Sequence, residues 1–471
     1  MTASERVGPG KRRNTPGQLT GAVVIVALVP AISGTLYGYD TAIISGALLQ
    51  ITKDFHIGQN WKQVIAASIL LGAVIGALVC SDLSHRRGRK YTLVMLAAVF
   101  VIGSLWCSLA PNPVVLSLGR LVLGFAVGGA TQTAPMYVAE LAPQRYRGRL
   151  VLCFQIAIGI GILIATIVAA SKSVSWRWSI GVAAVPAALM LGLLLRLPES
   201  PRWLIDHGNR DEAYHMLERA RPPGYDVETA LHEMAPPARV RQTAGARGWS
   251  ALREPWVRPA LILGCGISVF AQLSGIEMII YYSPTILVYN GFVTSVALDV
   301  SVGLGFSYLL AQLIGLAVID KVGRRRLALI MIPGAAVSLF VLGLLFVTGN
   351  SDRDSAPMII ACLIVFMLFN AGGIQLMGWL TGSEIYPLAV RPAGTAAQSA
   401  AMWATNLVIT LTLLTTVSAI GIGPSMWLYA FFNVCAWLFV FFRMPDLTGR
   451  SLEEIEAKLA DGKFRPVDFA R

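Results

Sequence analysis

Between Arg13 and Lys53 lie 39 residues that carry a single charge, Asp40, in a run otherwise rich in Val, Ile, Leu, Ala and Gly. A stretch of that length and polarity fits a membrane span. Lys11-Arg12-Arg13 ahead of it resembles the start of a secretory leader, but the run is about twice a leader's apolar region, so an uncleaved first span is expected. A carboxylate in hydrocarbon is costly unless it is protonated, paired or turned to a wet cavity. Asp40 therefore reads as a proton site lining a solute pathway. The alternative is an acid that snorkels to the outer interface or caps a kink at Gly38.

The pattern recurs along the chain. Apolar runs fall at about 19–49, 62–83, 91–111, 113–139, 150–171 and 177–197, and again at about 259–289, 296–319, 327–348, 357–383, 392–420 and 424–443. With 55% apolar and 14% charged residues, the chain exposes more apolar surface than a soluble fold buries. Residues 1–18 form a polar basic tail, 198–258 a hydrophilic linker with helical patterns at 211–219 and 227–234, and 444–471 a second tail with an amphipathic helix at 451–459. The net charge of +12 belongs to the loops. Of 38 Lys and Arg, 32 sit in the two tails and every second loop, 5 in the opposite loops and 1, Arg120, inside a span. That asymmetry places both termini in the cytoplasm and argues against a nucleic-acid partner. Cys80, Cys107, Cys153, Cys265, Cys362 and Cys435 have no paired spacing and read as small apolar fillers, with neither disulfide nor metal.

Six spans, a linker and six spans suggest a duplication. Arg86-Arg87-Gly88-Arg89-Lys90 after the second run answers Lys321-Val322-Gly323-Arg324-Arg325 after the eighth. Glu140-Leu141-Ala142-Pro143 with Arg147 answers Glu384-Ile385-Tyr386-Pro387 with Arg391, at the same Glu-to-Arg separation of seven. Pro198-Glu199-Ser200-Pro201-Arg202 answers Pro445-Asp446 with Gly449-Arg450. All three pairs lie in the same order at cytoplasmic span ends, as two homologous halves require.

Those motifs, together with Gly38-Tyr39-Asp40, Pro135-Met136-Tyr137-Val138-Ala139-Glu140, Gln272-Leu273-Ser274-Gly275-Ile276 with Tyr281-Tyr282, and Gly449-Arg450-Ser451-Leu452-Glu453-Glu454, carry a resemblance over nearly the whole chain. It is similar to the sugar porters of the major facilitator superfamily. The resemblance implies an all-α membrane fold of twelve transmembrane helices in two pseudo-symmetric six-helix bundles, 19–197 and 259–443, that rock about a central solute site. A monomer in a bacterial inner membrane is expected, with the lipid bilayer and a sugar or polyol as its partners and no cofactor beyond protons as the coupling ion.

Roles follow by position. Counting residues from the outer ends of their spans puts Asp40 and Arg120 at similar depth, about 10 to 14 Å, which permits an ion pair. Proton-coupled members of the family use an Asp and an Arg there, and protonation would release span 1. A static pair that only joins two helices is the alternative. Gln155, Gln272, Trp379 and Asn406 match the family's solute-binding positions, although a lone Gln in a span also serves as a helix-to-helix hydrogen bond. The resemblance implies that Arg89, Arg324 and Arg325 pair with Glu140 and Glu384, beside Arg147 and Arg391, and latch the halves on the cytoplasmic side when the cavity opens outward; the alternative is that these motifs only supply the Gly of tight turns and the cations of cytoplasmic span ends.

Departures from the family pattern bear on specificity. Ala271, Glu277, Tyr308 and Ala371 stand where polar amides are usual, and His85 stands where an Asp or Asn is usual, while Asp320 keeps the acid. Glu277 is the only charge between Pro259 and Asn290. It reads as a solute-binding acid or a second proton site, with a structural hydrogen bond as the alternative. Proton-coupled sugar or polyol import is the expected function; an uncoupled facilitator is a second reading, and a membrane sugar sensor, for which longer tails would speak, a third. No nucleotide loop, metal cluster or nucleophile with a base points to an enzyme.

Overall fold

In a computed structural model the chain is helical, with no strand among the described residues, which are 21–141, 147–171, 173–220, 227–228, 231, 248–289, 291–349, 355–387, 390–447, 450 and 452–469. The expected N-tail at 1–18, most of the pattern at 227–234 and the motif residues Ala142, Pro143 and Gly449 lie outside them.

From Gln59 onward, eleven helical segments are long and apolar enough to cross a bilayer. Gly21–Phe55, 35 residues with Asp40 near its middle, precedes them and makes a twelfth long helix. Numbered as spans 1 to 12, the others are Gln59–Arg87, Arg89–Ser108, Pro113–Leu141, Arg147–Ala170, Trp176–Arg196, Arg258–Tyr289, Thr294–Val322, Arg324–Val347, Ala356–Ile385, Arg391–Ile420 and Ile422–Arg443. Span 1 continues past Leu49, where the apolar run ends, because Ile51 and Phe55 find cover: Ile51 is fully buried and the Phe55 ring meets Trp176 at 5.6 Å. Spans 7 and 10, expected as continuous runs, are each broken in the middle.

The duplication is visible in the packing. In the first half span 1 lies on 5, span 2 on 4, and span 3 on 4 and 6; in the second, span 7 lies on 11, span 8 on 10, and span 9 on 10 and 12. Adding six to each number turns the first set into the second. The contacts between halves obey the same rule: span 2 packs on 11, its counterpart 8 packs on 5, and 1 packs on 7. Two matching turns close the 2–3 and 8–9 hairpins, where Gly88 at φ +103° and Gly323 at φ +92° adopt a backbone that side-chain-bearing residues resist.

Close backbone approach holds the first half together. A Cβ on Gly38 in span 1 would overlap the carbonyl oxygen of Ile158 in span 5, and one on Gly161 would overlap that of Thr35. Glycine lets helices approach to packing distance where lipid supplies no hydrophobic drive. The linker helices Pro201–Asp206 and Arg210–Ala220 bury Leu204, Ala213 and Leu217 against each other, and Leu452–Ala460 forms the expected tail helix.

Candidate functional site

The breaks in spans 7 and 10 shape the centre. Span 7 stops at Leu273, turns through Ser274 and Gly275, and resumes at Ile276, with Gly275 at φ +97°. The turn is pinned from two sides: Asn370 donates its amide to Ser274 Oγ at 2.7 Å and Asn433 donates to the Ser274 carbonyl at 2.8 Å. Span 10 is interrupted by Gly372-Gly373 before Ile374. Each break carries polar side chains: Gln272 on the last turn before one and Glu277 on the first turn after it, and Gln375 on the first turn after the other. Broken helices bring backbone and side-chain polar groups to mid-membrane only where they line a cavity or a binding site.

Several of these groups are buried without a protein partner. Gln155 Nε2, Gln272 Oε1, Glu277 Oε2, Gln312 Oε1, Gln375 Oε1 and Trp403 Nε1 have none in the structure, and every one of these residues is at most 5% exposed. Around them runs a partial network. Glu277 is hydrogen-bonded to Asn406, whose Oδ1 accepts from Thr410 at 3.2 Å. Tyr308 accepts from Gln312 Nε2 at 3.2 Å and is also hydrogen-bonded to Gln375. Aromatic rings from both halves close round it: Tyr37 meets Trp379 at 5.9 Å and Trp403 at 5.3 Å, and Phe154 meets Trp379 at 6.1 Å. An unpaired buried polar atom costs about 1–3 kcal/mol. Several of them facing flat rings suit a polar, hydroxyl-bearing solute.

Of the residues expected at this site, Glu277, Asn406 and Trp379 share one neighbourhood through Tyr37 and Tyr308. Gln155 follows Phe154 in span 5, and Gln272 stands five residues before Glu277, on the other side of the break. Sequence reading missed Trp403 and Gln375. Trp403 precedes Asn406 by three residues, hence on the same helix face, and Gln375 directly follows a Gly-Gly pair, a breaker signal in any helix.

Asp40 and Arg120 are both buried, at 2% and 0% exposure. The expected ion pair is not closed: no ion pair joins them among the described residues. Arg120 is drawn to span 2 instead, where its Nε donates to the Ile65 carbonyl at 2.8 Å, and both of its terminal nitrogens and Asp40 Oδ2 lack a protein partner. The two charges remain near enough to act on each other. Tyr281, on the second half of span 7, lies within electrostatic reach of Asp40, Arg120 and Glu277, and is hydrogen-bonded to Thr41. It thereby couples electrostatically to both the acid of span 1 and the solute site.

The charged motifs at the Gly88 and Gly323 turns form two separate clusters. Arg89 grips Glu140 through Nε at 3.1 Å and Nη2 at 3.2 Å, and the Ser200 hydroxyl donates to the same carboxylate. Glu199 accepts from the backbone N–H of Arg89 at 2.9 Å and of Lys90 at 3.0 Å, capping span 3. In the second half Arg324 binds Glu384 at 2.9 Å and Asp320 at 2.7 Å. Arg89 with Glu140 and Arg324 with Glu384 each join loops of one half in this structure, since spans 2, 3 and 4, and 8, 9 and 10, emerge side by side. Arg325 does not pair with either glutamate; it donates to the Phe441 carbonyl at 2.9 Å and stacks over that ring. Arg391 donates to the Tyr386 carbonyl at 3.2 Å, and the side chain of Arg147 lies outside those described. Side-chain bonds join the halves at both ends: Ser81 Oγ donates to the Pro392 carbonyl at 3.4 Å near the charged turns, and at the opposite end Gln59 meets Ser418 and Gln63 meets Thr415.

Residues 26–459 match the model of a family described as "Sugar (and other) transporter". The chain is 35% identical to the D-xylose transporter of Levilactobacillus brevis over 91% of its length and 94% of that protein. It is 30% identical to the major myo-inositol transporter IolT of Bacillus subtilis, over 97% of both. Among solved structures it is similar to the proton:xylose symporter XylE, bound to 6-bromo-6-deoxy-D-glucose, at a TM-score of 0.78 and 28% identity, covering 93% of this chain and 99% of that one. A helical fold broken at two mid-membrane sites, a duplicated packing plan and matches over almost the full length have one reading: this chain is a multi-pass membrane transporter that belongs to the sugar transporter family of the major facilitator superfamily.

Proposed function

We propose that the protein is a proton symporter for a sugar or related polyol, working by alternating access in a bacterial inner membrane with both termini in the cytoplasm and no bound cofactor. The observation that carries this reading is the joining of two sites by one residue. Tyr281 reaches the buried Asp40 and Arg120 on one side and Glu277 of the unsatisfied polar cluster on the other.

The solute's hydroxyls take up the free valences of Gln155, Gln272, Gln375 and Trp403, while Tyr37, Trp379 and Phe154 cover its apolar faces. Asp40 as the ionised acid attracts span 1 towards Arg120 in span 4. A proton on Asp40 cancels that attraction, and the Thr41 to Tyr281 hydrogen bond passes the change to the second half of span 7. A solute that needs that half-helix closed then favours the protonated carrier, which is thermodynamic linkage between proton and solute. Named activities of the relatives support sugar and polyol substrates, and XylE supports a proton as the driving ion.

The test is uptake of labelled hexoses, pentoses, inositols and other polyols into proteoliposomes, with and without an imposed inward proton gradient. Accumulation of one solute only with the gradient is the expected result. Equilibration regardless of the gradient would make the protein a facilitator and Asp40 a structural residue.

A further inference from the structure

Glu277 is 2% exposed, and its Oε2 has no protein partner. The groups within electrostatic or hydrogen-bonding reach of it are Tyr37 from span 1, Tyr308 from span 8, Tyr281 from its own helix one turn on, and Asn406 from span 11. Among these described neighbours there are three phenols and an amide, and no Lys, Arg or His. Arg120 on span 4 bears on Asp40 and Tyr281, and no ion pair joins it to Glu277 among the described residues. A carboxylate in that setting, with water displaced by a solute and no cation supplied, is not sustainable as an anion.

From this we propose that Glu277 is a second proton-carrying site, filled and emptied with the solute, so that each solute crosses with two protons. The inference rests on the symport reading above. When the site is open to water Glu277 can shed its proton, and Asn406 donates to the carboxylate. When a solute seals the site Glu277 takes a proton from the side the solute entered. As the neutral acid it has one O–H to donate, and the free Oε2 faces a solute hydroxyl that an ionised carboxylate would meet only as an acceptor. After opening to the other side, solute and proton leave together. Asp40 carries the first proton and sets the position of span 1; Glu277 carries the second and reports that the site is occupied. The Tyr281 phenol, within reach of both acids, keeps the two loadings in step.

The experiment is a zero-flux titration in proteoliposomes, with the voltage clamped to zero by valinomycin and equal potassium on both sides. D-xylose, D-glucose, D-galactose and myo-inositol are tested one at a time. At a pH difference of one unit, the opposing solute gradient that stops net flux is about tenfold for one proton per solute and about a hundredfold for two. The expected value is about a hundredfold for the natural chain, about a hundredfold for Glu277→Asp, which keeps the acid, and about tenfold for Glu277→Gln. Because the balance point is thermodynamic, a slow variant reports it as faithfully as a fast one. A value of about tenfold for the natural chain overturns the second site and leaves symport standing. A hundredfold balance that survives Glu277→Gln places the second proton elsewhere and overturns this assignment. A balance indifferent to pH overturns symport itself, and the second site with it.

Discussion

Gln63 of span 2 clasps the hydroxyl of Thr415 in span 11: its Nε2 donates to Oγ1 at 3.2 Å, and the hydroxyl lies 3.3 Å from Oε1, able to donate in return. One turn earlier Gln59 holds Ser418 in the same way, at 3.0 and 3.1 Å. Two rungs of amide and hydroxyl thus tie the halves together at the end away from the charged turns. Neither rung involves an ion, so the closure is light enough to open in each cycle.

Replacing both amides, Gln59→Ala with Gln63→Ala, is expected to favour the state open at this end. The exposed rungs are worth about 1–2 kcal/mol together, a population shift of about 5- to 30-fold. Spin labels at Asn60 and Ala419, both exposed beside the rungs, read the separation by pulsed electron resonance. An unchanged distance distribution would show that the rungs do not hold the closure.

Asp40→Asn is expected to abolish uphill accumulation while solute exchange across the membrane persists. A permanently neutral group at 40 cannot attract Arg120, so the empty carrier fails to return, whereas the loaded one still shuttles. Accumulation in this variant would remove the proton role.

Gln272→Ala and Trp403→Phe each delete a polar atom that has no protein partner. If the solute is that partner, each costs about 1–1.5 kcal/mol of affinity, or about 5- to 10-fold in half-saturation for exchange. Unaltered half-saturation would take the residue out of the site.

Burial ranks the two charged clusters. Arg89 and Glu140 are 6% and 10% exposed, against 19% and 29% for Arg324 and Glu384. Arg89→Ala leaves a carboxylate nearly dry and should cost about 3–5 kcal/mol, while Arg324→Ala should cost less because water reaches its partner. Thermal unfolding in detergent measures both, and the reverse order would contradict the burial argument.

Gly38→Ala drives a methyl into the Ile158 carbonyl, whereas a methyl at Gly303 meets nothing within 4 Å. The first should separate spans 1 and 5 and lower the unfolding temperature. The second should raise it slightly, by the about 0.5–1 kcal/mol of a helical Gly-to-Ala change. Equal effects would mean that the spans do not pack through this glycine.

Much of this could be read from residues in order. Twelve apolar runs, three motif pairs and one acid in a long span are local facts, and each maps onto a helix, a turn or a buried carboxylate. Partnership was harder to read. Glu140 is seven residues from Arg147 in sequence, yet its carboxylate is held by Arg89 and Ser200 from two other segments. Depth counting put Asp40 level with Arg120 but could not reveal that Ile65 in span 2 competes for the guanidinium. The breaks in spans 7 and 10 were written as Ser274-Gly275 and Gly372-Gly373, signals that long apolar flanks conceal. Trp403 escaped because an indole in a span ordinarily reads as filler; only its unpartnered N–H marks it.

Spans 7 and 10 are broken, but their counterparts in the first half, spans 1 and 4, run unbroken as Gly21–Phe55 and Pro113–Leu141. The two copies therefore differ in where they bend: the second is jointed at spans 7 and 10, whereas in the first the interruption falls in span 6, between Gly181 and Ala184. A chimera built from two first halves would keep the outline and lose the articulation.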